Sequence, residues 1–179
     1  YSHYKILDMK RNRLLRNVLV SFLFSWLIFS CLHAQNYNQW VWMKGPNTYD
    51  SLGIYGTQGV ADPLNSPPAR YANTFWKDNN GNFWIWGGYE FAHSNNYGDL
   101  WKFDPVSNNW TWVTGDNTPN QLGIYGTIGV EDPANKPGSR QYGSSSWVES
   151  NGNLWMFGGG YTILPFTYTY SDLWRYNMS

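Results

Sequence analysis

The strongest constraint on this chain is an internal repeat. Phe83-Trp84-Ile85-Trp86-Gly87-Gly88 returns as Leu154-Trp155-Met156-Phe157-Gly158-Gly159, and Asp99-Leu100-Trp101-Lys102-Phe103 returns as Asp172-Leu173-Trp174-Arg175-Tyr176. Asn108-Asn109-Trp110-Thr111-Trp112-Val113-Thr114-Gly115 has an earlier copy in Asn38-Gln39-Trp40-Val41-Trp42-Met43-Lys44-Gly45, at an offset of 70. Leu52 to Pro63 recurs as Leu122 to Pro133, with only Gln58/Ile128 and Ala61/Glu131 differing. Arg70 and Arg140 keep the offset of 70, which drifts to 71 at Trp76/Trp147 and 73 at Asp99/Asp172. A fixed period with drifting loops is the mark of a repeat architecture, in which each unit buries its apolar face against the next.

Each unit reads as four short strands. With 12 Trp, 14 Tyr and 18 Gly and only 13% charged residues, the chain is rich in strand formers and turn formers. The expected strands are 71–76, 83–86, 100–103 and 110–113, with copies at 142–148, 154–157 and 173–176, and 40–43 as an earlier fourth strand. Asn80-Gly81 and Asn151-Gly152 suit type I′ hairpins, in which both central residues need positive φ. The run 83–86 is apolar throughout, as in a strand covered on both faces, whereas 100–103 and 110–113 alternate. Gly87-Gly88 and Gly158-Gly159 then mark a strand end where backbone approaches closely, since no helix pattern follows as a phosphate loop requires.

A four-stranded sheet with two apolar faces is stable when sheets stack radially, as in a β-propeller. The apolar strand closed by Gly-Gly, the Asp-Leu-Trp-Lys-Phe-Asp-Pro segment and the following Trp110 resemble the kelch motif. Trp84, Trp86, Gly87, Gly88, Trp101 and Trp110 carry it in the first copy, and Trp155, Gly158, Gly159 and Trp174 in the second. The resemblance implies an all-β kelch-type propeller fragment of about two four-stranded antiparallel blades, the second incomplete. The long linkers resemble those of exported bacterial kelch proteins. On this reading residues 35–69 are a fourth strand and linker, 70–139 one blade and its linker, and 140–179 a second blade cut short.

The N-terminal stretch reads as an address. Residues 1–8 precede Met9, the plausible start; a basic stretch to Arg16, an apolar run over 18–32 and Ala34-Gln35 then give residues 9–34 the order of a cleaved signal peptide. The protein is therefore expected to be secreted or at the cell surface, without a membrane span after cleavage; the alternative is a lipoprotein anchored at Cys31. Residues 1–34 carry a formal +4 and the remainder −4, so the body lacks the basic footprint that nucleic acid needs.

Catalysis and cofactors find little purchase. Asp78-Asn79-Asn80-Gly81-Asn82 places Phe83 and Tyr89 where a calcium loop needs Gly and Glu. His93 is the one histidine outside the leader, and a zinc site needs several ligands. The kelch resemblance includes the galactose oxidase superfamily, but that copper centre uses two His and a Tyr–Cys cross-link that this body lacks. No catalytic, cofactor or metal residue is assigned. Asp99 and Asp172 are expected to accept backbone N–H bonds at turns, and Arg70 and Arg140 to bridge loops or blades.

Three functions follow from the resemblance: a non-catalytic module binding an extracellular protein or glycan, a piece of a propeller enzyme whose active site lies in other blades, or a purely structural repeat. For the first, the repeated linkers supply the candidate surface: Tyr55, Asp62, Tyr125 and Asp132, the tyrosines stacking on a ligand and the acids accepting hydrogen bonds. The competing reading packs these tyrosines beneath the linkers as core.

Overall fold

The computed structural model describes residues 38–178. The leader over 9–34, its cleavage at Ala34–Gln35, residues 1–8 and Cys31 lie outside the described residues. Those described form an all-β structure without a helix, and so without one long and apolar enough to cross a membrane. Nine strands build two antiparallel sheets. The first has five: β1 (Ala61–Asp62), β2 (Thr74–Lys77), β3 (Phe83–Glu90), β4 (Asn95–Asp104) and β5 (Asn109–Gly115), in the order β1-β5-β4-β3-β2. The second has four: β6 (Gln141–Val148), β7 (Leu154–Ile163), β8 (Phe166–Thr169) and β9 (Leu173–Tyr176), with β8 and β9 both paired to β7.

The sheets differ from the sequence reading at named places. Residues 40–43 form no strand, and Trp40, Val41 and Met43 are exposed. The linker instead supplies an outer strand, Ala61 pairing with Thr111 and Asp62 with Trp110. β2 begins three residues later than expected, Tyr71 being joined to Tyr89 by an isolated bridge. β3 and β7 run on through their glycine pairs rather than stopping there. Gly87 and Gly88, at φ 64° and 108°, sit in a bulge where the second sheet comes close. A Cβ on Gly87 would lie 2.4 Å from the Arg140 carbonyl oxygen, a separation no side chain tolerates.

The hairpin turns also depart from type I′. Gly81 and Gly152 take positive φ, at 87° and 98°, but Asn80 and Asn151 do not. A carboxylate organises the first turn: Asp78 Oδ1 accepts from the Asn80 and Asn82 amides at 2.9 Å, and Oδ2 accepts from Trp84 Nε1 at 2.8 Å. In the copy Glu149 accepts from Trp155 Nε1 at 3.2 Å. A side chain that satisfies these donors removes the need for a second left-handed residue.

The core lies between the sheets. Trp76, Trp84, Trp86 and Leu100, on one face of the first sheet, pack with Leu154 and Met156 of the second. Burying each indole removes roughly 150–250 Å² from water, about 4–6 kcal/mol gross. Only this face of 83–86 is covered by the other sheet, since Phe83 remains 47% exposed. Polar contacts fix the seam. Gly88 N donates to Arg140 O at 2.8 Å, Arg140 N to Tyr97 O at 3.0 Å, and Trp76 Nε1 to Trp155 O at 2.8 Å. The fully buried Asn96 amide both donates to Thr162 O, at 2.7 Å, and accepts from Thr162 N, at 3.1 Å, as another strand would.

Candidate functional site

The two repeats build the same four-residue cluster. Asp99 stands on β4 beside a bulge, with its side chain wholly buried. Arg70 donates to it in a fork, Nη1 to Oδ1 at 2.5 Å and Nη2 to Oδ2 at 2.8 Å. Tyr55 Oη donates to Oδ2 at 2.6 Å, and Trp101 Nε1 to the same oxygen at 2.7 Å. Two further guanidinium hydrogens go to backbone, from Nε to Pro68 O and from Nη1 to Gly87 O. The Tyr97 ring lies 4.2 Å from Arg70 Cζ, and the Tyr55 ring packs between Trp101 and Trp112, at 5.0 and 5.2 Å.

The second copy repeats these hydrogen bonds one by one. Arg140 forks to Asp172 at 2.7 and 2.9 Å, Tyr125 Oη donates at 2.7 Å, and Trp174 Nε1 at 2.8 Å. Tyr170 takes the place of Tyr97, at 4.2 Å from Arg140 Cζ. Among the described residues its Tyr125 ring meets one indole, that of Trp174, at 5.2 Å.

Electrostatics lock the protons in place. Burial raises the Tyr55 phenol far above its ordinary value, and the Asp99 carboxylate adds to the rise. Tyr125 is pushed up to about 12 by burial and by the Asp172 carboxylate. Burial works to raise Asp172, but hydrogen bonds from Arg140, Trp174 and Tyr125 outweigh it and hold this acid at about 2. For Arg70, burial opposes the charge and Asp99 more than restores it. A carboxylate that already accepts from a fork, a phenol and an indole is committed to holding strands together.

Each residue singled out from the sequence now has a place. Tyr55 and Tyr125 spend their hydroxyls on Asp99 and Asp172, so the linkers do not present them as open donors. Asp62 Oδ1 accepts from Leu64 N and Asp132 Oδ1 from Ala134 N, both at 2.8 Å, as turn caps. Asp99 and Asp172 accept from side chains, not from a turn's backbone as expected. Trp84 and Trp86 are core, and Trp110 stands edge-on to Trp101 at 6.3 Å. Trp155 stacks on Trp147 at 5.9 Å, and Gly158 and Gly159 repeat the positive φ of the first pair.

Sequence reasoning missed the convergence of Tyr, Arg and Asp, although all three recur; the signal was their joint recurrence. It also missed Tyr71 and Tyr142, a repeated pair left 48% and 53% exposed beside the glycine bulges. Tyr71 stands edge-on to Tyr89 at 5.7 Å, and burial together with the neighbouring Tyr89 and Tyr142 phenols raises its pKa. At the seam, Asp78, Asn82, Trp84, Lys102 and Tyr176 border a cleft of about 370 Å³. Among the described residues no group of three His, Cys, Asp or Glu is placed to hold a metal ion. Comparison with protein-family models and with curated proteins finds no match.

Proposed function

We propose that this chain is an exported kelch-type propeller segment, acting at the cell surface or outside the cell as a non-catalytic module that binds a protein or glycan. The two sheets are then consecutive blades and the Tyr–Asp–Arg–Trp cluster is the fastener of each. The observation that carries the binding role is the contrast between two sets of repeated tyrosines. Tyr55 and Tyr125 spend their hydroxyls on the fasteners, even though Tyr125 is itself half exposed, whereas Tyr71 and Tyr142, half exposed on neighbouring units, have hydroxyls that meet no carboxylate among the described residues. Open tyrosines at repeated positions give a rigid aromatic contact with a polar tip, suited to a sugar face or a protein side chain. The non-catalytic part of the reading is supported by the repeated acids, since both copies hold their carboxylate in the same saturated contacts.

The test is a Tyr71→Ala/Tyr142→Ala variant, assayed for retention on immobilised glycans and on extracellular protein extracts. Retention is expected to fall at least tenfold, with a stability change within about 1 kcal/mol for such exposed positions. Unchanged retention, or a fall that tracks unfolding, defeats the reading.

A further inference from the structure

The seam between the two sheets contains a template for a second seam. Trp76, Trp84, Trp86 and Leu100 form one side of it, and Leu154 and Met156 stand on the other. By the repeat, the counterparts of the first set are Trp147, Trp155, Phe157 and Leu173, on the open face of the second sheet. There Trp147 and Phe157 are each 45% exposed, and Leu173 54%. The counterparts of Leu154 and Met156 are Phe83 and Ile85, on the open face of the first sheet, with Phe75 beside them at 71% exposure. The two open faces are thus the two halves of the contact that the interior already makes. Bulk shifts in both directions: the first sheet has Phe75 where the interior has Ser146, and the second has Phe157 where the interior has Trp86.

One edge repeats the logic. β4 pairs with β3 on one side and β5 on the other, whereas its counterpart β9 pairs with β7 alone among the strands of the described residues. The sequence of β5 exists a second time, at 38–45, where the structure forms no strand. Glu131 and Arg175 show the place it would take. Their counterparts Ala61 and Lys102 lie on either side of Thr111 of β5, but here the two side chains meet directly, in an exposed ion pair of low worth. Connectivity agrees with the pairing. β5 leads through a linker into the second sheet, and 38–45 leads through the matching linker into the first.

We propose that copies of this chain assemble head to tail, residues 40–43 of one copy adding as a strand to β9 of the next. The inference rests on the propeller reading above. That single step would also lay the open face of one copy's second sheet on the open face of the other's first sheet, so edge and faces are satisfied together. Register follows from the first sheet, where Phe103 faces Trp110 and Lys102 faces Thr111. Tyr176 is therefore set against Trp40, and Arg175 against Val41. Such a contact is heterologous and closes only as a ring.

The experiment uses the full chain with Cys31→Ser, which removes its one native thiol. Chains carrying Val41→Cys and chains carrying Arg175→Cys are co-expressed and oxidised. A disulfide joining the two kinds of chain is expected, with none when either is expressed alone. Light scattering on the unmodified chain is expected to give a whole multiple of the chain mass, reduced to a single chain by Val41→Pro. The proposal is overturned by a single-chain mass without the mixed disulfide. It is equally overturned if a chain carrying both Val41→Cys and Arg175→Cys closes the disulfide within itself, or by an assembly that Val41→Pro leaves intact. Near-ultraviolet dichroism of the tryptophan seam separates the two failures. A folded single chain defeats the assembly alone, whereas loss of the seam signal in the unmodified chain counts against the propeller reading itself.

Discussion

The two Tyr–Asp–Arg–Trp clusters have the same residues and nearly the same hydrogen bonds, yet they are sealed unequally. In the first, β5 brings Trp112 against Tyr55 and β1 lies outside it, so the Asp99 side chain has no exposed surface. In the second, no strand lies beyond β9 among those described; Tyr125 is 50% exposed and the Asp172 side chain 16%. The hydrogen bonds are therefore set locally, by linker, bulge and strand. The burial that gives them their weight is supplied by the fourth strand. An ion pair that water can reach is worth far less than the same pair sealed.

The largest effect expected from this difference is on arginine removal. Arg70→Ala strands a wholly buried carboxylate and should cost about 3–5 kcal/mol. Arg140→Ala leaves Asp172 with access to water, and its cost should be smaller by at least about 1 kcal/mol. Urea unfolding checks this in chains kept single by Val41→Pro, the background for every variant below, so that no other copy covers β9; equal losses would break the comparison. Trp76→Ala and Trp147→Ala make a second pair, since the first indole is 6% exposed and bonded across the seam while the second is 45% exposed. Losses of about 3–5 kcal/mol for the first and about 1 kcal/mol for the second are expected by thermal unfolding. Removing only the phenol oxygen sharpens the contrast. Tyr55→Phe should cost about 1.5–3 kcal/mol, as for a bond to a buried charge, and Tyr125→Phe about 1 kcal/mol or less.

Much of the fold was legible in the sequence because it is written twice. The offsets located the hairpins and the third and fourth strands, and the aromatic positions 76, 84, 86 and 101 are buried as an aromatic core requires. Three things were not legible. Strand continuation through Gly87-Gly88 depends on the Arg140 backbone, which lies more than fifty residues away in sequence and reaches the bulge only after the sheets meet. The strand at Ala61–Asp62 has two residues and no pattern of its own; it exists because β5 has an open edge. The fate of Tyr55 depended on Asp99 and Arg70 arriving at one point, and recurrence alone cannot distinguish a ring of ligand contacts from a ring of fasteners. Residues 40–43 carry the sequence of a fourth strand and form none, because a strand is defined by its neighbour and not by its own pattern.

The smallest effect concerns acid. Asp172 titrates at about 2 in the folded protein, against about 3.9 for an aspartate in an unfolded chain. Its pKa is lowered by folding, so its contribution is present above about pH 4 and is lost as pH falls through about 2. Two pH units would correspond to about 2.6 kcal/mol in a sealed site, but the side chain reaches solvent, and about 1 kcal/mol is the better figure after screening. Stability measured from pH 5 to pH 2 should therefore decline by about that amount more in the native chain than in Asp172→Asn, whose neutral amide does not titrate. The same comparison in 1 M salt should shrink the difference, since a partly open ion pair is screened. Parallel acid profiles for the two proteins would show that Asp172 does not titrate across this range, and that the open edge of β9 does not decide how the cluster responds to pH.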